Sequence, residues 1–216
     1  MIGNRIRAAL LVSFAFAAET AGAAPPDQAG WYAGIDLTRT SLNMGGSSVD
    51  QAFGNQALTT ATSIGSSDTV GGINVGYRFN PHFALEGGLN SLGKYSYTSA
   101  VIAPAVDTIT GNYAAHAWSF SGLGIAPIGD KFAVYGKLGF AHTVANLAAS
   151  STAGAVTVGG TSHSDNGFVL GAGATFDFTP SVFGKIGWDR YTGVGDANIT
   201  GRGDIDVYSL GIGVRF

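Results

Sequence analysis

The sequence closes on "VYSLGIGVRF", residues 207–216, and the placement of one charge in it decides the fold. Taken at every second position, Tyr208, Leu210, Ile212, Val214 and Phe216 form one set, and Val207, Ser209, Gly211, Gly213 and Arg215 the other. Alternation with period two marks a strand whose two faces meet unlike surroundings. A slip of one residue would exchange the faces, so the register is strongly specified. The question is which surroundings Arg215 meets.

The same alternation recurs along the chain. Trp31, Ala33, Ile35 and Leu37 alternate with Tyr32, Gly34, Asp36 and Thr38, and Ile73, Val75, Tyr77 and Phe79 with Gly72, Asn74, Gly76 and Arg78. Phe83, Leu85 and Leu89 oppose Ala84, Glu86, Gly88 and Asn90; Phe132, Val134, Leu138 and Phe140 oppose Ala133, Tyr135, Lys137 and Gly139. Phe168, Leu170, Ala172, Ala174, Phe176 and Phe178 oppose Gly171, Gly173, Thr175 and Asp177, and Val182, Ile186 and Trp188 oppose Lys185, Gly187 and Asp189. Around Trp118 to Ile125 the apolar residues change register, which a bulge near Gly122 would reconcile. The sum is eight strands. Turn signals at Asn80-Pro81, Pro127 to Asp130 and Thr179-Pro180 join neighbours tightly. Long polar segments fill residues 41–68, 93–112, 145–165 and 192–204, too polar and glycine-rich to suggest a second core. Short turns at one end and long loops at the other predict an all-β, antiparallel up-and-down barrel of eight strands.

Composition chooses between the two barrels that fit. Charged residues make up 12% of the 216, against about 25% in soluble domains. A soluble lipocalin-like barrel needs a charged exterior, whereas the non-apolar face here is mostly Gly, Ser, Thr, Asn and Ala. That face suits the lining of a narrow transmembrane barrel, with the apolar face toward lipid. Its charges balance, Asp36, Glu86, Asp177 and Asp189 against Arg78, Lys137, Lys185 and Arg215, as a confined interior requires. Trp31, Phe79, Phe83, Phe132, Phe178 and Phe216 fall beside the short turns or chain ends, where such a barrel carries an aromatic girdle. Arg215 is therefore assigned to the lumen; facing lipid it would cost up to about 2–4 kcal/mol at midplane.

Residues 1–23 read as a cleavable export signal: Arg5 and Arg7, an apolar core over residues 8–18, then Ala21-Gly22-Ala23. The apolar core falls short of the about 20 residues a spanning helix needs. The barrel is then expected over residues 24–216. With no cysteine there is no disulfide or thiolate site, and a net charge of -3 gives no reason to expect nucleic acid. His82, His116 and His142 lack metal-ligand spacing, so neither metal nor cofactor is expected.

"WYAGIDL", "NVGYRFNPHFALEGGLNSLGK", "ATFDFTPSVFGKIGWDRYTGVGD" and "YSLGIGVRF" together resemble the OmpA-type eight-stranded transmembrane domain of Gram-negative outer membranes. The resemblance implies residence in the outer membrane among its lipids and lipopolysaccharide. It also implies assembly by the barrel-insertion machinery, which reads Tyr208, Leu210, Ile212, Val214 and Phe216. In that family ionic pairs across the lumen block or gate a small pore; Glu86 and Lys185 match one acid and its basic partner, while the other partners fall on Gly122 and Thr175, with Asp177 two residues further along the same face. Many members continue into a periplasmic peptidoglycan-binding domain; the expectation here is the transmembrane domain alone.

The function expected is structural, a plugged barrel whose loops display surface for binding or adhesion to a host or other surface ligand. Arg202-Gly203-Asp204 spells a tripeptide familiar from adhesion proteins, a short motif that arises easily by chance. The alternatives are a small low-conductance diffusion pore and a lipid A-modifying hydrolase. For the hydrolase the nearest feature is "SHSDN", residues 162–166. There His163 and Ser164 are neighbours on a strand and point to opposite faces, a poor arrangement for nucleophile and base.

Overall fold

The computed structural model describes residues 29–216. The export signal expected over residues 1–23 lies outside them. The described chain forms strands β1 (Gly30–Asn43), β2 (Thr59–Ile64), β3 (Ser67–Asn80), β4 (Phe83–Ala103), β5 (Asp107–Ile128), β6 (Phe132–Ser151), β7 (Thr161–Asp177), β8 (Val182–Val194) and β9 (Gly203–Arg215), with helix α1 (Gly46–Gly54) after β1. Eight of them close a ring: β1 pairs with β3, the sheet continues in chain order to β9, and β9 returns to β1 with Asp36 opposite Gly211. All neighbours are antiparallel, which is the up-and-down barrel expected. The remaining strand, β2, lies outside the ring on the far part of β4.

The faces divide as the alternation predicts. Ile35, Leu37, Leu89, Phe120, Leu138, Phe140, Leu210 and Ile212 stand exposed on the outside, while Asn74, Glu86, Ser119 and Ser121 are buried inside. Trp31 packs edge-on to Tyr77, Tyr77 to Phe79, and Phe132 and Phe178 to Phe176, forming the girdle at the short-turn end. Several inward glycines face large inward rings. A Cβ on Gly76 would overlap the Tyr32 ring, one on Gly213 the Phe183 ring, and one on Gly173 the Tyr135 hydroxyl. The glycine-rich face is thus space for rings that cross the lumen, and rings covering inward glycines also restore their packing.

Two expectations from the sequence are corrected. The register change between Trp118 and Ile125 needs no bulge at Gly122, because β5 pairs with β6 without interruption from Ile109 to Ile128. Trp118 and Phe120 point out, whereas Leu123 and Ile125 point into the lumen near Tyr135 and Ala84. The apolar set changes sides because the surroundings change along the strand. The bulge lies in β4, where Leu92 is the extra residue between the pairs Ser91–His116 and Gly93–Ala115. Gly93 carries it with φ of 110°, a conformation that side chains rarely adopt.

The segments over residues 93–112 and 145–165 are in large part strand, not loop. β4, β5 and β6 run to 21, 22 and 20 residues, about twice the 9–11 that cross a bilayer. The excess projects from the long-loop end. It also encloses a core, contrary to the expectation from loop polarity: Leu42, Phe53, Leu92, Tyr113, Leu147 and Ile205 are buried together there. Within residues 41–68, α1 contributes Val49, Ala52 and Phe53 to that core at helical spacing. Phe53 meets Tyr97, with ring centroids 6.0 Å apart.

Candidate functional site

The lumen is layered. At the short-turn end Arg215 donates to Asp177 Oδ1 at 2.7 Å and lies 4.5 Å from the Phe183 ring centroid. Period-two alternation puts Arg215 there, so the charge in the closing run meets a carboxylate and a ring, not hydrocarbon. Arg78 donates to the carbonyls of Asn80 and Pro81 at the turn after β3. Beyond lies a layer made of Tyr32, Tyr135, Phe183, Leu123 and Ile125.

The charged middle layer follows. Lys137 sits between two carboxylates, 3.1 Å from Glu86 and 3.1 Å from Asp189. Its side chain is 7% exposed and that of Glu86 5%. The Tyr32 hydroxyl donates to Glu86 at 3.1 Å. Lys185 bridges to Asp36 at 3.2 Å, and Asn74 donates to the same Asp36 oxygen at 2.7 Å. All eight lumen charges singled out from the sequence are on this inner face, but the pairing differs from the one the resemblance implies. Glu86 takes Lys137, and Lys185 takes Asp36. The reason is where neighbouring strands place the groups: Lys137 is level with Gly171 and, through it, Asp189; Lys185 and Asp36 are both level with Gly211; and Glu86 is level through Ser121 with Gly139, two residues from Lys137 on the same face. The free space at the centre of this layer is about 10 Å³, room for about one water.

The third layer is the core of the projecting end. The Tyr113 hydroxyl donates to the Val194 carbonyl at 3.2 Å and Tyr97 to the Ala148 carbonyl at 2.6 Å, tying strands across the barrel. α1 reaches the other connections, with the Asn55 amide donating to the Asn198 carbonyl at 2.7 Å. Periodicity within the polar segment, Val49 with Ala52 and Phe53, was the available sign of this helix.

At the outermost hairpin Asp107 collects four donors: the Ser151 hydroxyl and the backbone N–H groups of Thr108, Ala153 and Ala155. These bonds, the Ser151 hydroxyl foremost and then the Ala153 N–H, hold its carboxyl well below the usual carboxylate range. A depressed pKa stabilises the fold above the ordinary carboxylate value, and that stabilisation is lost as pH falls through the folded value. Asp107→Asn is therefore expected to loosen residues 151–155 at neutral pH, seen as faster amide exchange there. The difference from wild type should shrink in strong acid; equal exchange at pH 7 would count against the clamp.

The adhesion-like tripeptide is built into the barrel edge. Gly203 pairs with Val194, the Asp204 carboxylate accepts the Gly193 N–H at 2.9 Å, and Arg202 lies 3.8 Å from Asp165. "SHSDN" belongs to β7, with His163 and Ser164 opposite Ala145 and Val144 and alternating between faces. The outward terminal set from Tyr208 to Phe216 is exposed on the apolar face, and the Phe216 N–H donates to the Trp31 carbonyl at 3.0 Å. Among the described residues no group of three or more His, Cys, Asp or Glu could hold a metal ion.

The family model for the outer membrane protein beta-barrel domain matches residues 8–216. The chain belongs to that family. This outer membrane barrel resembles solved structures of the same architecture at low sequence identity. Ail of Yersinia pestis, crystallised with the heparin analogue sucrose octasulfate, is 16% identical with a TM-score of 0.52, covering 88% of this chain and 99% of that one. OprG of Pseudomonas aeruginosa is 12% identical with a TM-score of 0.54, covering 88% and 97%. Neisserial surface protein A is 16% identical with a TM-score of 0.53, covering 88% and 100%. No curated protein matches the chain. The family places the barrel in the outer membrane, so the apolar face meets lipid.

Proposed function

We propose that this outer membrane barrel is a non-conducting scaffold that displays a rigid β platform at the cell surface, exported by a cleavable signal over residues 1–23 and assembled by the barrel-insertion machinery through its terminal aromatic strand. The observation that carries the reading is the constriction at the ion-paired layer, which has room for about one water. Large side chains stand on both sides of it, the layer toward the short turns keeping a cavity of about 50 Å³. A diffusion pore would need a continuous path, and a gate would need a partner to exchange. Lys137 already holds Glu86 and Asp189 together, and Lys185 is taken by Asp36. The platform is rigid because its strands are continuous with the barrel and share a core, the arrangement on which binding surfaces are commonly carried. A host or other surface ligand would meet its outer edges. For the hydrolase alternative, the nearest feature in the sequence, His163 and Ser164, has nucleophile and base on opposite faces of β7.

Planar-bilayer recording of the refolded protein tests the reading. Wild type and Glu86→Ala are both expected to give no discrete openings. Regular single-channel steps from wild type would overturn it in favour of the pore.

A further inference from the structure

The outer face of the barrel is not uniform. Between β3, β4, β5 and β6, on the lipid side and at the end of the apolar belt nearer the projecting hairpins, lies a groove of about 580 Å³. Ile73 and Leu89 supply apolar floor, Trp118 forms a wall, and Gly71 leaves a stretch of floor bare. At the upper end stand His116 and His142. They are diagonal neighbours, since His116 pairs with Val144 and His142 with Trp118. Two pairs beyond His116, across the bulge at Leu92 and Gly93, the exposed Lys94 pairs with Ala114.

These polar groups are under-used by the chain. His142 Nδ1 lies 2.9 Å from Asn166 Oδ1 and its ring lies on Trp118, with centroids 5.6 Å apart. His116, the Trp118 indole N–H and the Lys94 ammonium have no hydrogen-bond or ion-pair partner among the described residues. The carboxylate bonded to this rim is Asp68, which accepts the backbone N–H of Lys94 at 2.8 Å and leaves the ammonium available. An apolar floor below, with an ammonium and two imidazoles above, matches the polarity of a lipid at the membrane surface.

We propose that this groove binds one phosphorylated lipid of the outer leaflet, of the lipid A class, with an acyl chain along Ile73 and Leu89 and a head-group phosphate against Lys94, His116 and His142. The occupant follows from continuity with the lipid-covered belt and from charge: a phosphate matches an exposed ammonium on the same outer face as two imidazoles. The groove opens on the side that carries the surface platform, so the lipid is that of the outer leaflet. The site does not depend on what the platform binds.

The test is titration of the refolded barrel in detergent micelles with bisphosphorylated lipid A and with the same lipid stripped of phosphate, read by native mass spectrometry. Wild type is expected to bind the phosphorylated lipid at least about tenfold more tightly. Lys94→Ala alone should weaken that preference, and Lys94→Ala with His116→Ala and His142→Ala should abolish it while leaving the stripped lipid unaffected. Gly71→Leu should weaken both lipids, and it fills the groove without backbone conflict, since a Cβ there sits 3.5 Å from the Asp36 carbonyl. All four positions face outward, so the variants should keep the heat-dependent mobility of a folded barrel in SDS. A triple variant that still prefers phosphate, or a Gly71→Leu barrel that binds both lipids as wild type does, would overturn the site.

Discussion

Lys137→Ala is expected to lower the stability of the refolded barrel by about 3–5 kcal/mol, more than any other change to the charged layer. Lys137 is the shared partner of Glu86 and Asp189, both enclosed in the lumen. Its removal leaves two carboxylates facing each other with no cation between them and almost no space for water. Asp36 cannot help, because it is another acid, and Lys185 is held 3.2 Å from it. The measurement is urea unfolding in lipid vesicles, followed by tryptophan fluorescence and by mobility in SDS. A compensated variant separates charge from packing. Lys137→Met with Glu86→Gln and Asp189→Asn removes the imbalance at similar volume and should recover most of the loss, since neutral replacement of a whole buried ion cluster is often tolerated. If the single and triple variants were equally unstable, the electrostatic account of this layer would fail.

Gly173→Val should prevent barrel closure altogether. A Cβ at Gly173 would fall on the Ile186 carbonyl oxygen and on the Tyr135 hydroxyl. The tyrosine could swing aside, but the carbonyl belongs to the ladder in which Gly173 faces Gly187 and Ala174 faces Ile186. Ordinary overpacking costs about 1–3 kcal/mol because side chains yield; here the obstacle is backbone. Gly136→Val is the matched control: it lies on the opposite face of neighbouring β6, where a Cβ meets nothing within 4 Å. The expected outcome is no heat-shifted band in SDS for Gly173→Val and a normal one for Gly136→Val. Normal folding of both would mean that the ladder at Gly173 yields to an inward side chain and the backbone obstacle is not decisive.

The ring of strands was legible in the sequence because lipid and lumen impose opposite demands on alternate residues, and Arg215 sits on the side that only a lumen could accept. Which cation meets which carboxylate was not legible. Pairing depends on how far each strand is shifted along its neighbour, and one-dimensional alternation carries no record of that shift. This is why Glu86 is found with Lys137. The long polar segments misled for a different reason. Serine, threonine and glycine suggest loop, yet outside the bilayer a strand needs only one apolar face, and a few large residues such as Tyr95, Tyr97, Tyr113 and Leu147 suffice to build it. Trp118 to Ile125 was ambiguous because the strand passes from a lipid-facing to a lumen-filling stretch, not because the backbone departs from regularity.

β5 carries that passage to its end. Going outward, Ile125 and Leu123 look inward, Phe120 and Trp118 look outward, and Tyr113 and Ile109 look inward again, all on one unbroken ladder. The two reversals amount to waterlines written into the strand. Between them the molecule is an inverted protein, greasy outside; beyond the upper one it is an ordinary globular protein. The visible portion can therefore be lengthened or trimmed two residues at a time, keeping every side chain on its own side, while the depth at which the molecule floats stays fixed by a few rings.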